Sequence, residues 1–260
     1  MPQPRKRFGQ HFLQDQAVIE RIVGALSPNV GEHLIEIGPG QGALTLPIIQ
    51  RGQTLTVIEL DRDLLQPLTQ RIGQQGLLQV YQADALTFDF ADLKRDERPL
   101  RVFGNLPYNI STPLIFHLLE FVPIIHDMLF MLQKEVAERL AAPPSSAHYG
   151  RLSVMVQYYC QVELLFHVSA AAFYPPPQVQ SSIVKLLPYA VLPYVAKDTK
   201  VFAEVVKQAF GQRRKTLRNS LHGLVSDAIW QQVGIDSGLR AEALSVREFV
   251  EISNALRRTL

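Results

Sequence analysis

Short apolar runs alternate with helical patterns along the first half of the chain. Val18, Ile22 and Leu26 recur at the spacing of one helix face before the first apolar run, and a similar spacing spans residues 64–72. This alternation is typical of a parallel sheet covered by helices. The predicted strands, each short and aliphatic enough for burial on both faces, are 33–37, 55–60, 78–82, 101–104 and 128–132.

The pattern changes beyond residue 150. Two further apolar runs, 162–168 and 182–187, lie on either side of Pro175-Pro176-Pro177. Strands joined by a short connection pair antiparallel, so the sheet is expected to end in an antiparallel pair. After Pro188 only helical spacing remains. We therefore predict an α/β domain over residues 1–190, with a mostly parallel sheet and an antiparallel end, and a small all-helical domain over 191–260.

A glycine turn follows the first predicted strand, as Gly38-Pro39-Gly40-Gln41-Gly42. Glycines let the backbone approach a nucleotide at the carboxyl end of a parallel strand. Glu59 ends the second strand, 59 − 38 = 21 positions after Gly38, where a carboxylate can accept both hydrogen bonds of a ribose diol. Asp84 ends the third strand and is placed to accept a hydrogen bond from an adenine amine. These positions predict a pocket for an adenosine compound.

The glycine turn alone does not identify the ligand. Gly38, Gly40 and Ala43 also satisfy the dinucleotide pattern, and a glycine turn can serve only to pack a helix on the sheet. Glu36 can orient the turn near a cationic sulfonium and an amino group, and Asp84 suits a single adenosine, so both favour S-adenosylmethionine. The alternative for Glu36 is a satisfied buried carboxylate facing the sheet core.

The fourth strand leads into Asn105-Leu106-Pro107-Tyr108. An exocyclic adenine amine is a poor nucleophile because its lone pair is delocalised into the ring. The Asn105 amide oxygen and the Leu106 carbonyl, on a turn fixed by Pro107, can draw that nitrogen toward tetrahedral geometry. Tyr108 offers a face on which the base can stack and on which positive charge is favoured. The turn predicts methylation of an adenine amine, with an ordinary strand-ending turn as the alternative.

Two further features suggest contacts with RNA. Phe173, before the three prolines, is a candidate for the second face of the base, with plain core packing as the alternative. The net charge is only +2, but the cations are clustered, and such clusters are either solvated surface or phosphate contacts. The predicted RNA-binding residues are Arg5, Lys6, Arg7, Arg213, Arg214, Lys215 and Arg218.

Several classes of protein are disfavoured. The single cysteine, Cys160, cannot form an intramolecular disulfide, and no Cys or His cluster has the spacing of a metal site. The most apolar stretch, 113–133, is interrupted by charged residues and proline, so a membrane span is not expected. The residues after Arg5-Lys6-Arg7 are too polar for the apolar segment of a signal peptide. A cytoplasmic protein without metal is expected.

Taken together, the motifs resemble the ribosomal RNA adenine N6,N6-dimethyltransferases, and among them the bacterial small-subunit enzymes of the KsgA/RsmA type. The resemblance is carried by 8–13, the glycine turn, 59–61, 105–111, 173–182 and 212–221. It implies a Rossmann-like class I methyltransferase fold, Asn105 to Tyr108 as the catalytic turn, and Phe173 as a base-stacking partner. The residues that it assigns to the S-adenosylmethionine pocket are His11, Leu13, Gly38, Glu59, Asp84 and Asn105. Many members have Asn where this chain has His11, and both side chains can hydrogen-bond the methionine part of the donor.

The resemblance also implies a substrate. It implies the transfer of two methyl groups to each of two neighbouring adenines in a hairpin loop near the 3′ end of 16S rRNA, in an immature 30S subunit. A monomer is expected. The residues alone support only an unpaired or flipped base. Three alternatives stay open. They are the large-subunit resistance dimethyltransferase, disfavoured by 212–221; a non-catalytic assembly or transcription factor, disfavoured by the intact turns; and a nicotinamide oxidoreductase, for which no acid or base is indicated.

Overall fold

A computed structural model describes residues 10–73, 77–212 and 214–256. The strands are β1 (Phe12–Leu13), β2 (His33–Ile37), β3 (Leu55–Glu59), β4 (Leu78–Gln82), β5 (Leu100–Asn105), β6 (Ile125–Gln133), β7 (Cys160–Val168), β8 (Phe173–Tyr174) and β9 (Ser181–Pro188). The α-helices are α1 (Gln16–Leu26), α2 (Thr45–Gln50), α3 (Arg62–Ile72), α4 (Ser111–Leu118), α5 (Lys134–Ala141), α6 (Arg151–Tyr159), α7 (Thr199–Ala209), α8 (Leu217–Ser220), α9 (Asp227–Val233) and α10 (Val246–Leu256).

Seven of these strands form one sheet in the order β4-β3-β2-β5-β6-β9-β7. The strands β4, β3, β2, β5 and β6 are parallel, and β9 runs antiparallel to β6. The predicted α/β fold with an antiparallel end is therefore confirmed. The chain runs outward from β2 through β3 to β4 and then returns to β5 on the other side of β2. Such a reversal leaves a crevice at the carboxyl ends of β2 and β5, where ligands of open parallel sheets bind.

Burial differs between the middle and the edge of the sheet. In β5 every residue from Leu100 to Gly104 is buried, because β2 and β6 pair along its two edges and its side chains lie in the core on both faces. The strand β4 stands at the end of the order and is only partly buried, so the expectation of burial on both faces is wrong for it. Its sequence is as apolar at alternate positions as that of an inner strand. Its place at the end of the strand order therefore explains why it is less buried.

The helix α1 covers the sheet with its apolar face. The Asp15 side chain accepts hydrogen bonds from the N–H groups of Ala17 and Val18, which begins the helix. The helix then buries Ile19, Ile22, Val23 and Leu26 in the main hydrophobic cluster of the sheet.

A buried ion pair joins the amino-terminal ends of β5 and β6, and its arginine also binds the carboxyl-terminal end of α1. Arg101 on β5 donates from Nε and Nη2 to the two carboxylate oxygens of Asp127 on β6, at 2.8 Å each. Its Nη1 donates to Glu32 at 2.6 Å, and Nη2 also donates to the carbonyl of Leu26 at 2.6 Å. This end of the sheet lies opposite the crevice, so the network is a candidate for structural support.

The chain divides into two compact units. The first comprises the described residues of Met1–Ala137 and Glu163–Pro188, and the second those of Glu138–Val162 and Tyr189–Leu260. In the second unit α6 packs on α7 and α10, with the ring of Tyr158 on that of Phe202 at 4.5 Å between centroids. The junction at 188 lies close to the predicted boundary at 190, but 138–162 groups with the helices because α6 packs against them.

Candidate active site

The ends of β2 and β5 meet at the crevice because Gly104 has no side chain. Glu36 on β2 is paired with Phe103 on β5, which sets Ile37 beside Gly104. A Cβ atom at Gly104 would lie far inside van der Waals contact with the Ile37 carbonyl oxygen, which is backbone and cannot move aside. The absence of a side chain therefore brings the glycine turn after β2 close to the Asn105 turn after β5.

The glycine turn needs its glycines at Gly38 and Gly40, which have φ angles of +67° and +55°. The Gly38 N–H donates to the carbonyl of Ile58 at 2.9 Å, which fixes the turn beside β3. A Cβ atom on Gly40 would meet the ring of Phe12 at 3.3 Å, so β1 closes over the turn at this point. The turn is thus bounded by backbone on one side and by an aromatic ring on the other.

Glu59, at the end of β3, is buried and held by two backbone N–H groups. Its Oε1 accepts from Asp61 at 2.9 Å and its Oε2 accepts from Gly40 at 3.4 Å. Burial raises the pKa of the Glu59 carboxyl, and the hydrogen bonds from Asp61 and Gly40 oppose that rise. Each carboxylate oxygen keeps a further lone pair, so the group can accept two hydroxyl hydrogen bonds.

Glu36 is buried at the base of the pocket, with 2% of its surface exposed. The Thr45 hydroxyl donates to its Oε2 at 2.6 Å. Burial raises the pKa of Glu36 to about 8; the Thr45 hydrogen bond opposes this rise, and the charge of nearby Glu59 adds to it. The carboxyl is therefore mostly protonated at neutral pH, which agrees with the satisfied buried carboxylate that the sequence left as an alternative.

Asp84 follows β4 and lies on the far side of the pocket from Asn105. Its Oδ1 accepts from the N–H of Leu86 at 2.9 Å, in a turn closed by the Thr87 N–H to the Asp84 carbonyl at 3.1 Å. This bond orients the carboxylate and leaves Oδ2 to accept a hydrogen bond from an amine.

Asn105 is held by its amide nitrogen, which donates to the carbonyl oxygen of His11 at 3.0 Å. Because the nitrogen is used in this bond, the amide oxygen Oδ1 is directed away from His11 and can accept from a ligand. The N–H of Leu106 donates to Met131 on β6 at 3.2 Å, which anchors the turn to the sheet.

Tyr108 is half-buried at the mouth of the crevice and is held at its hydroxyl and at its ring. The hydroxyl shares a hydrogen bond of 2.7 Å with Ser181 Oγ, and the ring stacks on His11 at 5.7 Å between centroids and 29° between planes. His11 Nδ1 lies 2.7 Å from the Pro175 carbonyl, which can only accept, so Nδ1 carries a proton. Burial raises the pKa of Tyr108, and the phenol stays neutral.

The structure gathers most of the predicted site residues around one pocket. All of the residues assigned to the donor pocket and to the turn after β5 line it. They are His11, Leu13, Glu36, Gly38, Gly40, Glu59, Asp84, Asn105, Leu106, Pro107 and Tyr108.

Phe173 is placed elsewhere. It is 4% exposed, packs in the hydrophobic cluster with Leu13 and Ile183, and is not among the residues that line the pocket. Phe173 stands opposite Leu13 in the β1–β8 pair, whereas its neighbour Tyr174 stands opposite Phe12 and is 59% exposed. Side chains alternate across a strand, so Phe173 points to the core. The predicted base-stacking role of Phe173 conflicts with this position, and its core-packing alternative agrees with it.

Only part of the predicted RNA-binding set can be placed. Arg5, Lys6, Arg7 and Arg213 lie outside the described residues. Arg214 and Lys215 are exposed in the loop before α8. Arg218 on α8 donates to Asp227 at 2.8 Å in an exposed ion pair. One of the residues predicted to bind RNA phosphates is therefore paired with a carboxylate of the same chain.

Three residues in or beside the pocket were not predicted individually from the sequence. Gln10 donates to Asp61 at 3.2 Å, Phe12 lies over Gly40, and Ser181 bonds Tyr108. Phe12 lies on β1, whose two residues are too few for a periodic signal, and Ser181 begins β9 one residue before the predicted strand 182–187. The resemblance assigned His11 and Leu13 of the segment 8–13 to the pocket, but it did not assign Gln10 or Phe12.

Within the described ranges, no group of three or more His, Cys, Asp or Glu side chains is arranged to hold a metal ion. In the same part of the chain, no helix combines the length and the apolar character needed to cross a membrane.

Comparison with known proteins gives consistent results. A family model described as ribosomal RNA adenine dimethylase matches residues 1–258. Ribosomal RNA small subunit methyltransferase A of Pseudomonas fluorescens is 54% identical over 252 residues, 97% of this chain and 93% of that protein. The protein of the same name from Pseudomonas aeruginosa is also 54% identical, over 97% of this chain and 94% of its own length.

Two solved structures are similar over most of their length. A dimethyladenosine transferase from Plasmodium falciparum has a TM-score of 0.78 at 24% identity, over 93% of this chain and 96% of that one. The 23S rRNA methyltransferase ErmE has a TM-score of 0.72 at 23% identity, over 95% of this chain and 99% of that one. At these identities the likeness shows a shared fold.

Proposed function

The chain belongs to the ribosomal RNA adenine dimethylase family and is a ribosomal RNA adenine dimethyltransferase; we propose that it modifies small-subunit RNA with S-adenosylmethionine as donor. The names of the relatives that are 54% identical support the small subunit. In detail, we propose that two methyl groups go to the N6 amine of each of two adjacent adenines in a hairpin loop near the 3′ end of 16S rRNA, within an immature 30S subunit.

The pocket fits S-adenosylmethionine by its shape and its acceptors. The Glu59 carboxylate, already oriented by two N–H groups, can take both hydroxyls of the ribose. The free Oδ2 of Asp84 can take the adenine amine. Gly38 leaves room for the donor beside the turn, because the atom nearest to a Cβ added there would lie 3.9 Å away. His11 and Leu13 close the pocket from the β1 side.

The turn after β5 activates the target amine without a general base. When bound, S-adenosylmethionine supplies a methyl carbon that leaves its sulfur without the bonding electrons. Asn105 Oδ1 and the Leu106 carbonyl accept the N–H groups of the target amine, two in the first transfer and the one that remains in the second, which draws its nitrogen toward tetrahedral geometry and aims the lone pair into the pocket. Tyr108 stacks on the base and stabilises the positive charge that develops on the nitrogen. That charge makes the nitrogen acidic, so its proton passes to water.

The cationic residues bind the RNA backbone in this proposal. Arg214 and Lys215 are exposed and can contact phosphates directly. The exposed Arg218–Asp227 pair is worth little in water, so a phosphate can compete with Asp227 for the guanidinium. The same role is proposed for Arg5, Lys6, Arg7 and Arg213, which lie outside the described residues. We further propose that the protein acts as a monomer in the cytoplasm.

One observation carries the proposal: the Asn105 amide nitrogen is occupied by the His11 carbonyl, so the amide oxygen is presented to the pocket as an acceptor. The test is methyl transfer from labelled S-adenosylmethionine to unmodified small-subunit particles, followed by digestion of the RNA and separation of its nucleosides. The expected product is N6,N6-dimethyladenosine at two adjacent positions.

The same assay distinguishes the alternatives. Incorporation into unmodified 23S rRNA but not into the small subunit would favour the large-subunit enzyme, whose fold is shared. Binding of the small subunit without any incorporation would favour a non-catalytic assembly factor. Label in a nucleoside other than adenosine would contradict the role given to the turn.

A further inference from the structure

Tyr108 is held by two contacts, one made directly by the stretch 175–181 and one made by His11, which that stretch fixes in turn. Its hydroxyl bonds Ser181 Oγ at 2.7 Å. Its ring stacks on His11, and the His11 ring is itself fixed by the hydrogen bond of Nδ1 to Pro175, 2.7 Å away. Pro175 follows β8 and Ser181 begins β9, so the stretch 175–181 holds the aromatic ring both at its hydroxyl and through its stacking partner.

Ser181 is rigidly placed. It stands opposite Gln133 in the antiparallel β6–β9 pair, and its side chain is fully buried. The next residue, Ser182, is equally buried, but its hydroxyl bonds His167 Nδ1 at 2.8 Å. Successive side chains of a strand point to opposite faces, so only one of these two serine hydroxyls reaches Tyr108. Because Ser181 is shielded from water, no water molecule can take the place of Tyr108 as the partner of its hydroxyl.

We propose that Ser181 is a positioning residue for the methyl transfer, acting through Tyr108. The inference rests on the proposed function. The hydrogen bond to Ser181 holds the tyrosine ring against His11, which covers one ring face, and presents the opposite face to the target adenine. The plane of that ring sets where the adenine amine lies relative to Asn105 Oδ1 and the Leu106 carbonyl. Without the tether the ring can tilt, and the amine meets its two acceptors less often in the reactive geometry.

The test compares Ser181→Ala with Ser182→Ala as a matched control. Each variant removes one buried serine hydroxyl from neighbouring positions of β9, and only the first removes a contact with Tyr108. The measurements are single-turnover methyl transfer to small-subunit particles, donor affinity by calorimetry, and thermal unfolding. Loss of one neutral hydrogen bond predicts a rate about fivefold to tenfold lower for Ser181→Ala. The rate of Ser182→Ala should stay within about twofold of wild type, and donor affinity should be unchanged in both variants.

A double-mutant cycle with Tyr108→Phe separates positioning from a general loss of packing. Tyr108→Phe removes the same hydrogen bond from the other side, so it should slow the reaction to a similar extent, and Ser181→Ala should add nothing to it. Additive losses, or equal rates for Ser181→Ala and Ser182→Ala, would overturn the inference. If Ser181→Ala does not fold, a wild-type rate in Tyr108→Phe overturns it as well. Failure of the unmutated protein to methylate adenine would instead refute the proposed function.

Discussion

Replacing Glu36 with Gln should remove a strong pH dependence of folding stability. Glu36 is fully buried, and burial raises its pKa from the ordinary value of 4.5 to about 8. The folded protein therefore holds a proton on this carboxyl between pH 4.5 and about 8, whereas the unfolded chain releases it. The contribution of the group to stability is fully present below pH 4.5 and is lost as the pH rises toward and through 8.

The size of this effect follows from the same interval. A difference of 8 − 4.5 in pKa corresponds to an upper limit of about 5 kcal/mol, since each pKa unit is worth about 1.4 kcal/mol. Water entering the open pocket reduces the cost of charging Glu36, so we expect about 2 to 4 kcal/mol. Glutamine has the same shape, can accept the Thr45 hydrogen bond through its amide oxygen, and does not titrate in this range.

The assay is urea unfolding without donor at a series of pH values from about 5 to 9, for the unmutated protein and for Glu36→Gln. Every other titrating group is common to both proteins, so it cancels in the difference between their unfolding free energies to first order. The unmutated protein should lose about 2 to 4 kcal/mol relative to the variant as the pH rises through this window. A difference that does not change with pH would mean that Glu36 is ionised throughout, and the description of the pocket base would be wrong.

Three other changes test the ribose contact, the buried ion pair and the proposed RNA contacts. Glu59→Ala should weaken S-adenosylmethionine binding by about 1.5 to 3 kcal/mol, because a charged acceptor of the ribose is lost, and unchanged affinity in calorimetry would exclude that role. Arg101→Met should cost about 3 to 5 kcal/mol in chemical denaturation by leaving Asp127 buried without its guanidinium; a loss below about 1 kcal/mol would refute this. Neutralising Arg214 and Lys215 together should flatten the dependence of RNA affinity on salt and leave donor affinity unchanged, whereas equal salt slopes would make these residues ordinary surface.

The parallel part of the fold was predictable because each strand carries its own signal. The apolar runs at 33–37 and 78–82 coincide with β2 and β4 in both position and length. The partial exposure of β4 was not predictable, because it depends on strand order, which the local pattern does not contain. The pairing of Arg101 with Asp127 was hidden for the same reason, since 26 residues separate the two partners along the chain.

The site was predictable where chemistry follows directly from the end of a strand. Gly38, Glu59 and Asn105 each end or follow a strand of the sheet, and parallel strands bring such ends together. The direction in which a side chain points inside a two-residue strand was not predictable. Phe173 and Tyr174 are adjacent aromatics, and only the pairing of β8 with β1 decides that Phe173 enters the core.

The role of the Asn105 amide oxygen is tested most directly by the single-turnover rate of methyl transfer by Asn105→Ala, measured at saturating donor and RNA beside donor affinity from calorimetry. Because the Asn105 amide oxygen is proposed to act on the target amine in the transition state, the chemical rate should fall by about a hundredfold or more, equivalent to about 3 kcal/mol. Donor affinity should weaken only moderately, and thermal unfolding should show a folded protein. A variant that methylates adenine at the rate of the unmutated protein would exclude this role for the Asn105 amide oxygen.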